Sequence, residues 1–294
     1  MHSANSLFHF VNSPDYLQDA LKRKALFPRY CIEDFGYLDI SVEGVRYDKI
    51  AILQKCFCDI PLRTITNQFR VSLVNDNSLT DAQRQAIPET YSHTALYGQY
   101  GLAFTKSWGE SNNLQPIHYL NDKADYAAKV SKMINAASSC EDVSDDITNP
   151  IIGLLNYIKP IRGVMKRKYT DENNSFVFEI YKNFHDEHEW RYVPVQYEPS
   201  EQNMGIVIAN PNIVNNQDMI NSLNDQVKQN KYASLNFNYD DINYIIVPNN
   251  EKRMDIINFI RNLSSSCFER QNEDAQKCLL ISKILVLDEI EKDF

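Results

Sequence analysis

Two glutamates two residues apart, Glu187 and Glu189, stand in the stretch FHDEHEWRYVPV directly before Trp190 and Arg191. The alternating apolar residues that follow read as a strand, and residues two apart on a strand point to one face. The spacing therefore predicts two like charges on one side of a sheet, with Trp190 turned to the other side and Arg191 back beside the carboxylates. In water such a pair is solvated surface. In a cleft, paired carboxylates beside a cation shift each other's proton affinity and are candidates for chemistry. Three further clusters carry reactive residue types: His9 between Phe8 and Phe10, CFCDIPL at 56–62, and YGQYGLAF at 97–104 with Tyr97 and Tyr100. Each also has a plain structural reading, as an exposed strand histidine, as strand cysteines with a helix cap, and as packing tyrosines.

The elements that must position these residues follow from pattern. LFHFV at 7–11 reads as a short strand. NSPDYLQDALKRKAL then carries a helix start, with Ser13 as N-cap and Pro14 at the first helical position, and Leu17, Ala20, Leu21 and Ala25 on its apolar face. IAILQKCFCDI is a second apolar strand, stopping at Asp59 and Pro61, where a short helix with Leu62, Ile65 and Phe69 inward can begin. Thr80 followed by Gln83 fits a capping box. GLAFT reads as a strand after the tyrosine turn, with PIHYL as its expected neighbour. Residues 122–160 turn helical around the polar stretch SSCEDVSDDITNP and are expected to form an insertion in a single domain of 1–294. Strand character returns in GVMKRKY, SFVFEIY, EWRYVPV, GIVIA and INYIIV. Helices are expected near 215–230, 251–264 and 272–280, before the acidic tail LDEIEKDF. Strands and helices mix without strict βαβ alternation or a glycine-rich phosphate loop, which predicts α+β.

Composition narrows the class. A hydrophobic fraction of 43% supports a sizeable core, and 17 Tyr and 14 Phe against 8 Gly suit sheet and aromatic packing. The net charge of −9 argues against a general nucleic-acid or anionic-membrane binder. RGVMKRKY at 162–169 is the clear basic run and reads as a solvated strand end. The N-terminus lacks the basic and apolar regions of a secretory signal, and no stretch reaches the roughly 18 apolar residues of a membrane span. Six cysteines, with only Cys56 and Cys58 close together, form neither a disulfide framework nor a metal motif, so a cytoplasmic protein without metal is expected.

Taken in order, LFHFV, KCFCDIPL, YGQYGLAFTKSWG with QPIHYL, EHEWRYVP and YIIVPNNEKR resemble the AbiGi family of bacterial abortive-infection proteins. The likeness covers most of the chain outside 122–160. It implies an antitoxin-side component whose genetic partner is a nucleotidyltransferase-like toxin. An early strand His, a Tyr at a turn into a strand and a late strand Glu are also similar to the H-Y-E arrangement of DarT-like ADP-ribosyltransferases, although Val11 stands where those proteins carry a hydroxyl. That second resemblance implies a split-sheet core with a helical insertion and a helical C-terminal flank, NAD as substrate, and a nucleic-acid or protein acceptor. It implies Glu189 as the catalytic carboxylate, stabilising oxocarbenium character as in glycoside cleavage. Glu187 would orient the acceptor, His9 would donate to a ribose hydroxyl, and Tyr97 or Tyr100 would cover the nicotinamide. Two functions stay open: an NAD-using transferase of phage defence, and a binding component that regulates a toxin.

Overall fold

The computed structural model describes residues 4–42, 44–74, 78–139, 145–171, 175–195, 205–269 and 272–293. The chain folds as a mixed α+β structure around one long sheet. Among the described residues the strands run in the order Gln115–Pro116, Glu189–Tyr192, Lys49–Cys58, Ser6–Val11, Tyr100–Thr105, Ile242–Val247 and Ile284–Val286. Every pair in that order is antiparallel except the last, which is parallel.

The strand Lys49–Cys58 is the axis, because apolar residues on both of its sides let it sit in the middle of the sheet. Along one edge it pairs with Ser6–Val11 at a single position, Phe8 opposite Cys58, and then with Arg29–Asp34 from Gln54 to Lys49. Between these partners the edge is open. Cys56 O, lying in that gap, accepts a hydrogen bond from His9 Nδ1 at 2.9 Å instead of from a backbone N–H. Along the other edge Glu189–Tyr192 and Val207–Ile208 pair in turn.

Local rules hold where they depend on neighbours in sequence. Ser13 Oγ accepts from Asp15 N, and Pro14 opens a helix to Arg23 that buries Leu17, Ala20 and Leu21. The helix stops at Lys24, whose φ of 50° is left-handed, so Ala25 leaves the helix face and starts the short strand Ala25–Leu26. Thr80 and Gln83 close a capping box on the helix Asp81–Ala86. Gly98 has φ +129°, and a Cβ there would lie 2.2 Å from Val11 O, so only glycine lets the chain leave the helix His93–Tyr97 against the first strand.

Several expectations are corrected by long-range pairing. PIHYL is not the neighbour of GLAFT: Gln115–Pro116 pairs with Glu189–Tyr192, and His118–Leu120 pairs with Ile158–Pro160. After Pro61 there is one 3-10 turn, Leu62–Thr64, while Phe69 belongs to a short strand against Thr90–Tyr91. The EWRYVPV strand ends at Tyr192. Beyond the expected helices, Ile284–Val286 closes the sheet edge and Leu287–Asp293, in the acidic tail, is a helix burying Leu287 and Ile290. In 122–160 the helices Asp125–Ser138 and Asp145–Gly153 occupy most of the segment, and Ala127, Val130, Ile134 and Leu155 pack with Phe35, Leu38, Ile50 and Ile52. Residues 140–144 of its polar stretch, and with them Cys140, lie outside the described residues.

Candidate functional site

Glu187 and Glu189 do not sit on one extended strand. Glu187 closes a 3-10 turn, His185–Glu187, and His188 then takes a left-handed φ of 45° before Glu189 opens its strand. The turn still leaves both carboxylates facing one ammonium. Lys159 Nζ donates to Glu189 Oε2 at 2.9 Å and lies 3.6 Å from Glu187 Oε2. Glu189 Oε1 accepts from Arg191 Nε at 2.6 Å, and Arg191 Nη2 donates to Glu33 Oε1 at 2.9 Å. Glu187 Oε1 is held by Lys182 Nζ and by the Tyr97 hydroxyl, and Lys182 also donates to that hydroxyl at 3.1 Å. The Glu189 N–H donates to the Tyr119 hydroxyl at 2.9 Å, and Arg191 Nη1 to Asn156 O at 3.0 Å. Three carboxylates, Glu33, Glu187 and Glu189, thus meet three cations, Lys159, Lys182 and Arg191.

The network is buried: Arg191 is 0% exposed, and Lys182, Glu187 and Glu189 lie between 4 and 5%. Burial works to raise the Glu189 pKa, but Arg191 and then Lys159 outweigh it and hold the carboxyl well below its usual range. Glu187 behaves alike, with burial opposed by Lys159 and Lys182, and the net shift is downward. Burial followed by the charge of Glu187 pushes the Tyr97 phenol well up, so it stays protonated and donates. Each ionised group therefore has its counter-charge within the fold, which is the condition for keeping charge away from water.

The register separates His9 from this network. Phe8 and Glu189 both stand opposite Cys58, so they share a face with Arg191, which stands opposite Cys56. His9, one residue on, points to the other face, where its ring lies 5.5 Å from that of Phe57. Tyr97 reaches a cavity on each face. It lines a cavity of about 500 Å3 with His9 and a second of about 840 Å3 with Lys159 and Glu33. Its ring is flanked by His93, with centroids 4.6 Å apart, and by Lys182 Nζ at 5.0 Å from its centre. Tyr100 packs in the core beside Leu102 and Val247, away from the carboxylates.

Lys159, Lys182 and Glu33 were not singled out by the sequence reading. For Lys182 a signal existed: Phe176, Phe178, Ile180 and Lys182 occupy one phase of the strand Ser175–Asn183, so a lysine stands where an apolar residue is expected. Among the described residues no group of three or more His, Cys, Asp or Glu could hold a metal ion, and no helix is long and apolar enough to cross a membrane.

Residues 78–248 match the family described as "Putative abortive phage resistance protein AbiGi, antitoxin". The abortive phage resistance protein AbiGi of Lactococcus lactis subsp. cremoris is 31% identical over 276 residues, covering 92% of this chain and all of that protein. The chain belongs to the AbiGi family. It is thereby a member of an anti-phage, abortive-infection family, and the matched residues of this chain run from the capping box of Thr80 to the strand Ile242–Val247. No solved structure matches the chain.

Proposed function

We propose that this chain is the antitoxin-side, binding component of an abortive-infection pair, with a cognate toxin as its partner. The observation that carries this reading is the internal neutralisation of Glu187 and Glu189 by Lys159, Lys182 and Arg191. A carboxylate already matched by buried cations has little field left to stabilise a developing positive charge on a substrate. The family description, which names an antitoxin, agrees with it. By the same likeness the toxin is nucleotidyltransferase-like.

The surface we assign to that partner is the outer face of the hairpin Arg162–Thr170 and Ser175–Asn183. Val164 stands opposite Tyr181, Lys166 opposite Glu179, and Lys168 opposite Val177, which puts all six on one face. Val164, Val177 and Tyr181 are 42%, 57% and 45% exposed. An apolar cluster set among lysines, on a chain of net charge −9, is a surface that a protein partner can cover. The test is co-expression with the toxin gene: a Val177→Glu, Tyr181→Glu double variant should fold normally and no longer rescue growth. Full rescue by that variant removes the hairpin from the interface. Failure of the wild-type chain to rescue growth or to bind the toxin overturns the antitoxin reading itself.

A second reading, ADP-ribosyl transfer from NAD to a nucleic acid or protein, keeps one observation in its favour: His9 and Tyr97 line a common cavity beside the open sheet edge. Against it stand the enclosed Tyr97 ring and the face separating His9 from Glu189. Labelled NAD incubated with the chain, alone and with cell extract, decides between the readings. Label transfer that Glu189→Gln abolishes in a folded protein establishes the transferase, and no turnover leaves the binding component.

A further inference from the structure

The cavity on the His9 face carries charge that the fold does not match. Lys55 lines it, half-buried between strands, and no hydrogen bond or ion pair of the described residues reaches its ammonium. The carboxylates at the rim are already engaged: Asp19 accepts from Arg23 at 2.7 Å and Asp225 from Lys228 at 2.8 Å. Arg29 adds a second cation to the wall. This contrasts with the other face of the same sheet, where each buried cation has its carboxylate.

Two further residues of the wall each keep one unpartnered polar atom. Asn224, 7% exposed, accepts from Tyr30 N at 2.6 Å. Because a backbone N–H can only donate, the bonded atom is the amide oxygen, and Nδ2 is left as a buried donor without an acceptor. His9 Nδ1 faces the carbonyl of Cys56, which can only accept, so the proton is on Nδ1. Burial, and next the charge of Lys55, keep the ring neutral, so Nε2 is a bare acceptor, also buried and unpartnered. Both atoms are shut off from solvent, so they lie behind the cavity wall and not on its surface, and the unmatched group that faces the cavity is Lys55. Burial first, with the charge of Arg29 adding to it against Cys31 and Cys56, pushes the Lys55 ammonium down to about 8, so it stays mainly protonated at neutral pH and has an anion to gain.

We propose that this cavity binds a phosphate monoester carried on a nucleotide-sized molecule. The phosphate sits against Lys55 and Arg29. A volume of about 500 Å3 suits such a ligand, and Tyr16 and Phe27 supply the apolar wall that a flat ring can rest on. The inference does not use the carboxylate network, which lies on the opposite face, and it concerns the cavity that the transferase reading also invokes.

The experiment is calorimetric titration and thermal shift of the full chain with adenosine 5′-monophosphate, with adenosine and inorganic phosphate as separate arms. The monophosphate should bind saturably and tighter than either fragment. Lys55→Met and the surface variant Arg29→Gln should each weaken it at least about tenfold, the loss of one charge-assisted contact. Lys55→Met should also raise the thermal midpoint of the ligand-free protein, because it replaces an unmatched cation by an apolar side chain. Adenosine binding as tightly as its monophosphate, affinity unchanged in both variants, or no saturable binding at millimolar monophosphate overturns the assignment. Toxin neutralisation is a separate readout, so failure here leaves the antitoxin proposal standing.

Discussion

Arg191 and Glu189, two residues apart on one strand, are paired through Nε and Oε1 at 2.6 Å, and neither is more than 4% exposed. Removing the cation strands a carboxylate that the fold cannot hydrate. Arg191→Met should destabilise the chain by about 3–5 kcal/mol, measured by urea unfolding. Arg191→Lys should recover only part of this, because one ammonium cannot reach Glu189, Glu33 and Asn156 O together. A loss below about 1 kcal/mol for Arg191→Met, the size expected of an exposed pair, would show that the pair is not sealed from water.

Lys182 and Glu187 offer a complementary test, since both are buried and bonded to each other. Lys182→Met and Glu187→Gln should each cost about 3 kcal/mol singly, and the double variant should cost clearly less than their sum. A double-mutant cycle reads this coupling. Strict additivity would mean that Tyr97 and Lys159, not Lys182, carry the Glu187 charge.

The pH dependence should show two components. His93 is buried between Phe10 and Tyr97, and burial pushes its pKa down to about 4. In the unfolded chain the same ring titrates near 6.5, so between about 6.5 and 4 the unfolded state binds the extra proton and stability falls as pH falls. The contribution is about 3 kcal/mol across that window. His93→Phe should reduce the slope there, with His9, whose ring burial also keeps neutral, supplying the remainder, and an unchanged slope would sink the assignment. Glu187 and Glu189, with pKa values lowered on folding, contribute stability above the ordinary carboxylate range that is lost as pH falls further. That steeper loss should persist in His93→Phe.

Gly98 is expected to tolerate no side chain. Its φ of +129° is strained for alanine, and the added Cβ would meet the backbone of Val11. Gly98→Ala should cost more than about 2 kcal/mol in thermal or chemical unfolding. A neutral effect would mean that the first strand and the helix His93–Tyr97 separate easily.

What the sequence alone determined was local. Ser13 with Pro14, Thr80 with Gln83, and the apolar run Lys49–Cys58 each specify their element, because a cap or a side-chain phase depends on residues a few positions away. The return of Arg191 to the side of Glu189 was legible for the same reason, a period of two on one strand. The partners were not. Lys159 reaches both glutamates and Glu33 reaches Arg191 from distant segments, and only the tertiary fold brings them there, whereas Lys182 lies five residues before Glu187 and meets it across the turn His185–Glu187. Register likewise decided that His9 and Glu189 face apart: a single pairing, Phe8 with Cys58, fixes the phase of both strands, and a slip of one residue would have put them together. Pairing also decided that Cys56 O lies in an open edge for His9 to cap, and that Lys55 faces a cavity whose carboxylates, Asp19 and Asp225, are held by Arg23 and Lys228. Charge type is written in the chain, but whether a charge is matched depends on which residues the fold brings within a few ångströms.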